Sequence, residues 1–330
     1  FRNADDFPAN RASGKRRIVC SGDSVTFGEH VGNDRTFCSL LAHWDPELET
    51  INMGQVGYGV DQAYLWYRRD ADDLDVDVHI LAFTTQDFMR MQYDEFMGIP
   101  RPAMVLEDGQ LVVANAPISR STYAMLPWLA ETLNSSDGLR TMELAARIRR
   151  KLDPEPGKVP GAWNARGSEE VEAVVGQLFK KLRDYDTARS RATVLAYFPS
   201  VEELQQPTAE LAYWMSVVES NARRLDVPLI NFVSRFSELP AAAATRPIVD
   251  GHHFSETGHE LVARKLLEHL REDPRITRRL GAPGQTPDEP RAPDRPGTPY
   301  EHVKPSDVGH TIGVGVVAAV PTASYSGPNP

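Results

Sequence analysis

The chain has 330 residues, of which 41% are hydrophobic and 25% charged, and its 36 Lys and Arg against 46 Asp and Glu give a formal net charge of -10. That length can bury a sizeable core, as one enlarged domain or one domain with appendages. The acidic balance argues against a nucleic-acid partner, because phosphates need a basic surface and Lys15-Arg16-Arg17 and Arg149-Arg150-Lys151 read only as solvated faces.

In chain order, residues 16–21, 49–54, 76–84, 192–198 and 227–231 are short, apolar and rich in β-branched residues, which predicts five strands. Phe37, Leu40, Leu41 and Trp44 share one helical face after the first strand; Val262, Ala263, Leu266, Leu267 and Leu270 share another near residue 270. The alternation predicts an α/β fold: a three-layer α/β/α sandwich around a mostly parallel, about five-stranded, flavodoxin-like sheet. Residues 90–166 interrupt it after the third strand. There a hairpin is expected around Glu107-Asp108-Gly109-Gln110, then helices near 121–133 and 139–152 that would roof the site.

Residues 1–15 read as an N-terminal arm, 16–272 as the main domain and 273–330 as a Pro-rich extended tail. The tail's TIGVGVVAAV run is a candidate surface for packing on a second subunit. Cys20 and Cys38 offer neither a disulfide framework nor a cysteine zinc site, and Cys20 reads as a small buried hydrophobe. No apolar run is long enough to span a bilayer. The chain starts at Phe1, read as a processed or truncated start with any signal or anchor upstream.

The chemistry concentrates at the two ends of the main domain. The first strand runs into Gly22-Asp23-Ser24, where either Asp23 or Ser24 caps the next helix or Ser24 is a nucleophile at a sheet rim. Far downstream, Asp250 and His253 lie three residues apart before the last amphipathic helix. At that spacing an aspartate can orient an imidazole, which can then take a proton from a hydroxyl.

These residues resemble the SGNH or GDSL-type lipases and esterases. Their first block matches Gly22-Asp23-Ser24 with Thr26 and Gly28, their second Asn52, Gly54, Gly57 and Gln62, and their last Asp250-x-x-His253 with Gly258. The resemblance covers about residues 16–272 and implies Ser24 as nucleophile, His253 as base and Asp250 as its orienter. It further implies an oxyanion hole from the N–H groups of Ser24 and Gly57. Relatives complete that hole with an asparagine after the third strand, where this chain has Thr84-Thr85-Gln86-Asp87. Gln86 keeps the amide but adds a methylene, so either it adapts as a third donor or the two backbone groups act alone.

Asp23, Asn52, Asp87 and His252 are supporting or substrate-contacting candidates, and His259 is expected on the helix surface or beneath the loop. Gly32-Asn33-Asp34 is expected to cap the helix carrying Phe37. The GQVGYG stretch has the wrong glycine spacing for a dinucleotide site, and no histidine pair has the i, i+4 spacing of zinc hydrolases, so neither cofactor nor metal is expected.

The resemblance thus implies a serine ester hydrolase acting through an acyl-enzyme, on a carbohydrate or other small ester, outside the cytoplasm. Tyr123, Trp128 and Trp163 are candidate sugar platforms or core residues. Two other readings stand beside it: an O-acyltransferase using the same three side chains, and a non-catalytic binding module on a degenerate hydrolase scaffold.

Overall fold

The computed structural model describes residues 7–96, 99–116, 166–237 and 247–280. Arg16–Gly22 (β1), Leu48–Gly54 (β2), Val78–Thr84 (β3), Ala192–Phe198 (β4) and Leu229–Asn231 (β5) form one parallel sheet in the order β2-β1-β3-β4-β5. This is the flavodoxin-like doubly wound order, which needs apolar residues on both faces of each central strand. Helices fill the crossovers and flank the site: α1 (Ser24–Phe27), α2 (Phe37–Trp44), α3 (Val60–Asp70), α4 (Thr85–Arg90), α5 (Ser168–Ala188), α6 (Val201–Gln205), α7 (Ala209–Leu225), α8 (Phe232–Ser237), α9 (Glu256–Glu272) and α10 (Pro274–Leu280).

Strand alternation sorts the core into two layers. Leu81, Phe83, Leu195 and Tyr197 point to the face covered by α3, α5 and α7; Val78, Ile80, Ala82 and Phe198 point to the face covered by α2, α8, α9 and α10. His259 of α9 is fully buried in the second layer, where its Nδ1 accepts from the N–H of Phe37 at 3.1 Å, so it packs beneath the loop and not on the helix surface. The first layer contains a buried polar group. His79 stacks on Tyr67 with centroids 3.5 Å apart, its Nε2 lies 2.6 Å from Ser21 Oγ, and Asp186 accepts hydroxyls from Tyr67 and Thr193, each at 2.7 Å. Burial holds the His79 imidazole below its ordinary value, although the Asp186 hydrogen bond and charge push the other way. With Ser21, His79 and Asp186 each at 0–1% exposure, this serine, histidine and aspartate satisfy one another inside the core and meet no substrate.

The predicted hairpin is present, with Ala103–Glu107 pairing antiparallel to Gln110–Ala114. Its turn residues Asp108 and Gly109 have φ of +50° and +75°, the sign a two-residue type I′ turn requires at both positions. The expected helices at 121–133 and 139–152, Tyr123, Trp128, Trp163 and the TIGVGVVAAV run lie outside the described residues. No helix among the described residues is long and apolar enough to cross a membrane.

Four expectations need correction. Cys20 and Cys38 are joined by a disulfide, their Cα atoms 6.2 Å apart, which ties β1 to α2 within the core. The tail does not begin at 273: α10 is a helix whose Ile276 is fully buried and whose Leu280 carbonyl accepts from Arg16 Nε at 3.1 Å. Residues 7–15 are not a free arm, because the carbonyls of Ala9 and Asn10 accept from the buried guanidinium of Arg17 at 2.6 and 3.0 Å. The cap of α2 is Thr36, whose side chain accepts from the N–H of Ser39, while Asn33–Arg35 form a single 3-10 turn before it.

The disulfide closes a loop across 18 positions of sequence, for which chain entropy gives a stabilisation of about 3 kcal/mol. Urea unfolding equilibrated with dithiothreitol should therefore show a free energy lower by about that amount than unfolding without it. An unchanged midpoint would mean that the two sulfurs are not joined.

Candidate active site

The loops after β1, β2 and β3 leave the carboxyl ends of their strands, where open α/β folds place ligands, and the histidine loop before α9 meets them there. After β1, Asp23 caps α1 by accepting from Val25 N–H at 2.9 Å, which frees Ser24 from capping and leaves it at the first helical position. Asn52 fastens that turn from behind: its Nδ2 donates to the Thr26 carbonyl at 2.8 Å and its Oδ1 accepts from Gly54 N–H at 2.9 Å. A Cβ on Gly54 would lie 2.1 Å from the backbone nitrogen of Phe27, so glycine is needed for β2 to approach α1 this closely. Asn52, itself buried, therefore positions α1.

The histidine loop is built by another Asp-Gly turn. Ile248–Val249 pairs antiparallel to His253–Phe254, and between them Asp250 and Gly251 take φ of +46° and +88°. The His252 N–H closes the turn on the Val249 carbonyl at 3.2 Å, Phe254 is fully buried, and Ser255 caps α9. The turn folds the Asp250 carboxylate back over its own loop, where Oδ1 accepts from His253 N–H at 3.2 Å and the two oxygens lie 3.0 and 2.9 Å from His253 Nδ1. The far nitrogen of that imidazole, Nε2, is 2.8 Å from Ser24 Oγ, across 229 positions of sequence. With Asp250 accepting the hydrogen bond of Nδ1–H, the lone pair of Nε2 faces the serine hydroxyl.

Partial burial pushes the Asp250 carboxyl up, but hydrogen bonds from the side chain and backbone of His253 and from His30 outweigh it and hold the group well below the usual carboxylate range. His30, in the loop after α1, places Nε2 2.6 Å from Asp250 Oδ2. Glu29 places Oε2 3.2 Å from His253 Nε2, on the serine side of the ring.

Ser24, Gly57, Gln86, His252 and His253 line one cavity of about 200 Å³. Gly57 has φ +78°, in the left-handed region. Gln86 has its carboxamide held at both ends: Nε2 lies 3.2 Å from His252 Nδ1, and Oε1 accepts from Arg90 at 3.4 Å. The side-chain nitrogen thus faces the cavity side occupied by His252.

No family model matches the chain, and no curated protein matches it. Solved structures do resemble it. One is a member of the lipolytic G-D-S-L family from Veillonella parvula, with 13% identity, TM-score 0.45, and coverage of 78% of this chain and 100% of that one. A lipase/acylhydrolase from Enterococcus faecalis has 12% identity and TM-score 0.45, covering 77% and 95% of the two chains. Axe2, an acetylxylan esterase from Geobacillus stearothermophilus, has 15% identity and TM-score 0.43, covering 82% and 95%. At such identities and TM-scores these likenesses assign no residue a role.

Arg90, like Glu29 and His30, is a residue that the sequence did not single out. Its Nη1 donates to Asp23 Oδ2 at 3.3 Å, to the Tyr58 carbonyl at 3.1 Å and to Asp87 Oδ1, so one guanidinium joins the loops after β1, β2 and β3. Asp87, which also accepts from Thr84 N–H at 2.8 Å, and Asp23 are both buried, so these two supporting candidates act on the loops and on Arg90. Burial, then the neighbouring Asp23 carboxylate, pushes the Asp87 carboxyl well above its ordinary value, against the pull of Arg90 and of the Thr84 N–H. No spacing in the chain predicts that Glu29 and His30 meet the histidine loop or that Arg90 meets Asp23 and Tyr58, because these partners are long-range.

A raised carboxyl means that the native state holds this proton more tightly than the unfolded chain does. Its contribution to stability is complete below about pH 4 and is lost as pH rises through the folded-state value. Thermal unfolding of Asp87→Asn should therefore show a midpoint that gains on the wild type as pH rises from about 4 to about 7. A difference independent of pH contradicts the assignment.

Proposed function

We propose that the protein is a serine-dependent carboxylic ester hydrolase with Ser24 as nucleophile. The observation that carries this reading is the unbroken series Asp250, His253 Nδ1, His253 Nε2, Ser24 Oγ, with contacts of 2.9 and 2.8 Å opening on a cavity.

In the proposed reaction His253 Nε2 takes the hydroxyl proton as Ser24 Oγ bonds to the ester carbonyl carbon. Asp250 stabilises the imidazolium, and collapse of the tetrahedral intermediate breaks the bond to the alcohol, which leaves with the proton from Nε2. Water then repeats the sequence on the acyl-enzyme, releasing the acid and restoring Ser24. The developing oxyanion is held by N–H groups of Ser24 and Gly57. Gln86 contributes the carboxamide proton not directed at His252, so the extra methylene is absorbed by anchoring the amide between Arg90 and His252.

A cavity of about 200 Å³ is small for a ligand site and suits a short acyl group such as acetyl. A saccharide alcohol follows from the resemblance of the motifs at Ser24, Gly57 and His253. The disulfide favours an oxidising compartment.

Turnover of p-nitrophenyl acetate tests the reading. Ser24→Ala and His253→Ala should lose about four orders of magnitude or more in kcat, and Asp250→Asn about four. Gln86→Ala should lose about two to three orders in kcat with little change in KM, as expected for a donor used only in the transition state. Ser24→Ala at wild-type turnover would overturn the assignment; Gln86→Ala at wild-type turnover would confine the oxyanion hole to backbone donors.

A further inference from the structure

Among the described residues, His30, Asp250 and His253 are the one group of three such side chains whose ligand atoms all lie within 4.8 Å of one another. Two imidazoles meet a single carboxylate oxygen: His30 Nε2 is 2.6 Å and His253 Nδ1 2.9 Å from Asp250 Oδ2, and the two rings lie 5.3 Å apart at 63°. Orienting a catalytic base requires one carboxylate contact, to His253. The second histidine is supernumerary for that purpose, and it is placed there by a left-handed backbone at both His30 (φ +75°) and Asp250 (φ +46°). A donor set of two imidazoles and one carboxylate suits a borderline transition-metal dication and not Mg²⁺ or Ca²⁺.

We propose that His30, Asp250 and His253 form a binding site for Zn²⁺ or a similar dication, and that occupation of this site switches the esterase off. Ligand atoms on a tetrahedral zinc lie about 3.3 Å apart, so the two imidazoles need to retreat from Asp250 by less than about 1 Å to admit the ion. With His30 and Asp250 side chains 48% and 44% exposed, the ion has an entry path and water completes its shell.

The inhibition follows from tautomers, and this half of the proposal rests on His253 being the base. A zinc ion on Nδ1 displaces the proton from that nitrogen, and the neutral ring carries it on Nε2 instead. His30 makes the same exchange, from Nε2 to Nδ1, so no proton is released and nothing is oxidised. The lone pair that would have accepted the Ser24 proton is then gone. Glu29 Oε2, 3.2 Å from His253 Nε2, accepts the relocated N–H and stabilises the metal-bound tautomer.

Isothermal titration of the full chain with ZnCl₂, and separately with MgCl₂, tests the site without reference to activity. The expected result is one zinc ion per chain, no magnesium binding, and an affinity at least tenfold weaker in both His30→Ala and His30→Gln, each first shown to unfold as cooperatively as the wild type. In parallel, zinc should slow p-nitrophenyl acetate hydrolysis by the wild type at the concentrations that fill the site, and chelation should restore it. No zinc binding, or equal affinity in the His30 variants, overturns the site. Binding lost with His30 but without inhibition of turnover overturns the switch and leaves the site standing. A protein that binds zinc as described yet hydrolyses no ester would refute the proposed function separately.

Discussion

The contact between Ser24 Oγ and His253 Nε2 is the constraint on which the rest of the structure turns. A 2.8 Å approach between groups 229 residues apart requires the first and last units of the fold to end at one rim. The parallel sheet meets that requirement, since every strand delivers its carboxyl end to the same side. Local devices then fix the two side chains. Asp23 takes over the cap of α1 so that Ser24 has its hydroxyl available, and the Asp250-Gly251 turn folds the carboxylate onto the ring two residues beyond the glycine. The buried His79 group shows that the residue types alone are insufficient: Ser21, His79 and Asp186 have comparable partners but are closed off from solvent in the core.

Behind Ser24, two carboxylates share one guanidinium. A buried arrangement of this kind contributes little net stability, because desolvating three charges offsets most of their attraction. Its value here lies in position: Arg90 touches the loops after β1, β2 and β3 together and so sets their spacing. Burial, and then the crowding of two acids onto one cation, is also what raises the Asp87 carboxyl above its ordinary value.

Features with a local signature were legible in the sequence. The strand at 192–198 matches its observed bounds, those at 16–21 and 49–54 agree within one residue, and those expected to begin at 76 and 227 each start two residues later. The Asp108-Gly109 turn was legible because few other residues accept a positive φ at two successive positions; the same conformation at Asp250-Gly251 emerged only in the structure. Features set by distant contacts were not legible. His30 meets Asp250 across 220 positions, and Arg90 meets Asp23 across 67. Cys20 reads as a small apolar residue because it does occupy the core, and only the packing of β1 on α2 reveals its bond to Cys38. The recurring prolines read as an extended tail, yet proline at the first helical position is well suited to start a helix, and α10 begins at Pro274.

The account stands most directly on the reactivity of one hydroxyl. A fluorophosphonate offered to the native protein should add a single phosphonyl group, located on Ser24 by peptide mass analysis. Labelling should be lost in His253→Ala, whose Ser24 has no base, and in Ser24→Ala. An adduct on another residue, or labelling as fast without His253 as with it, would contradict the central claim.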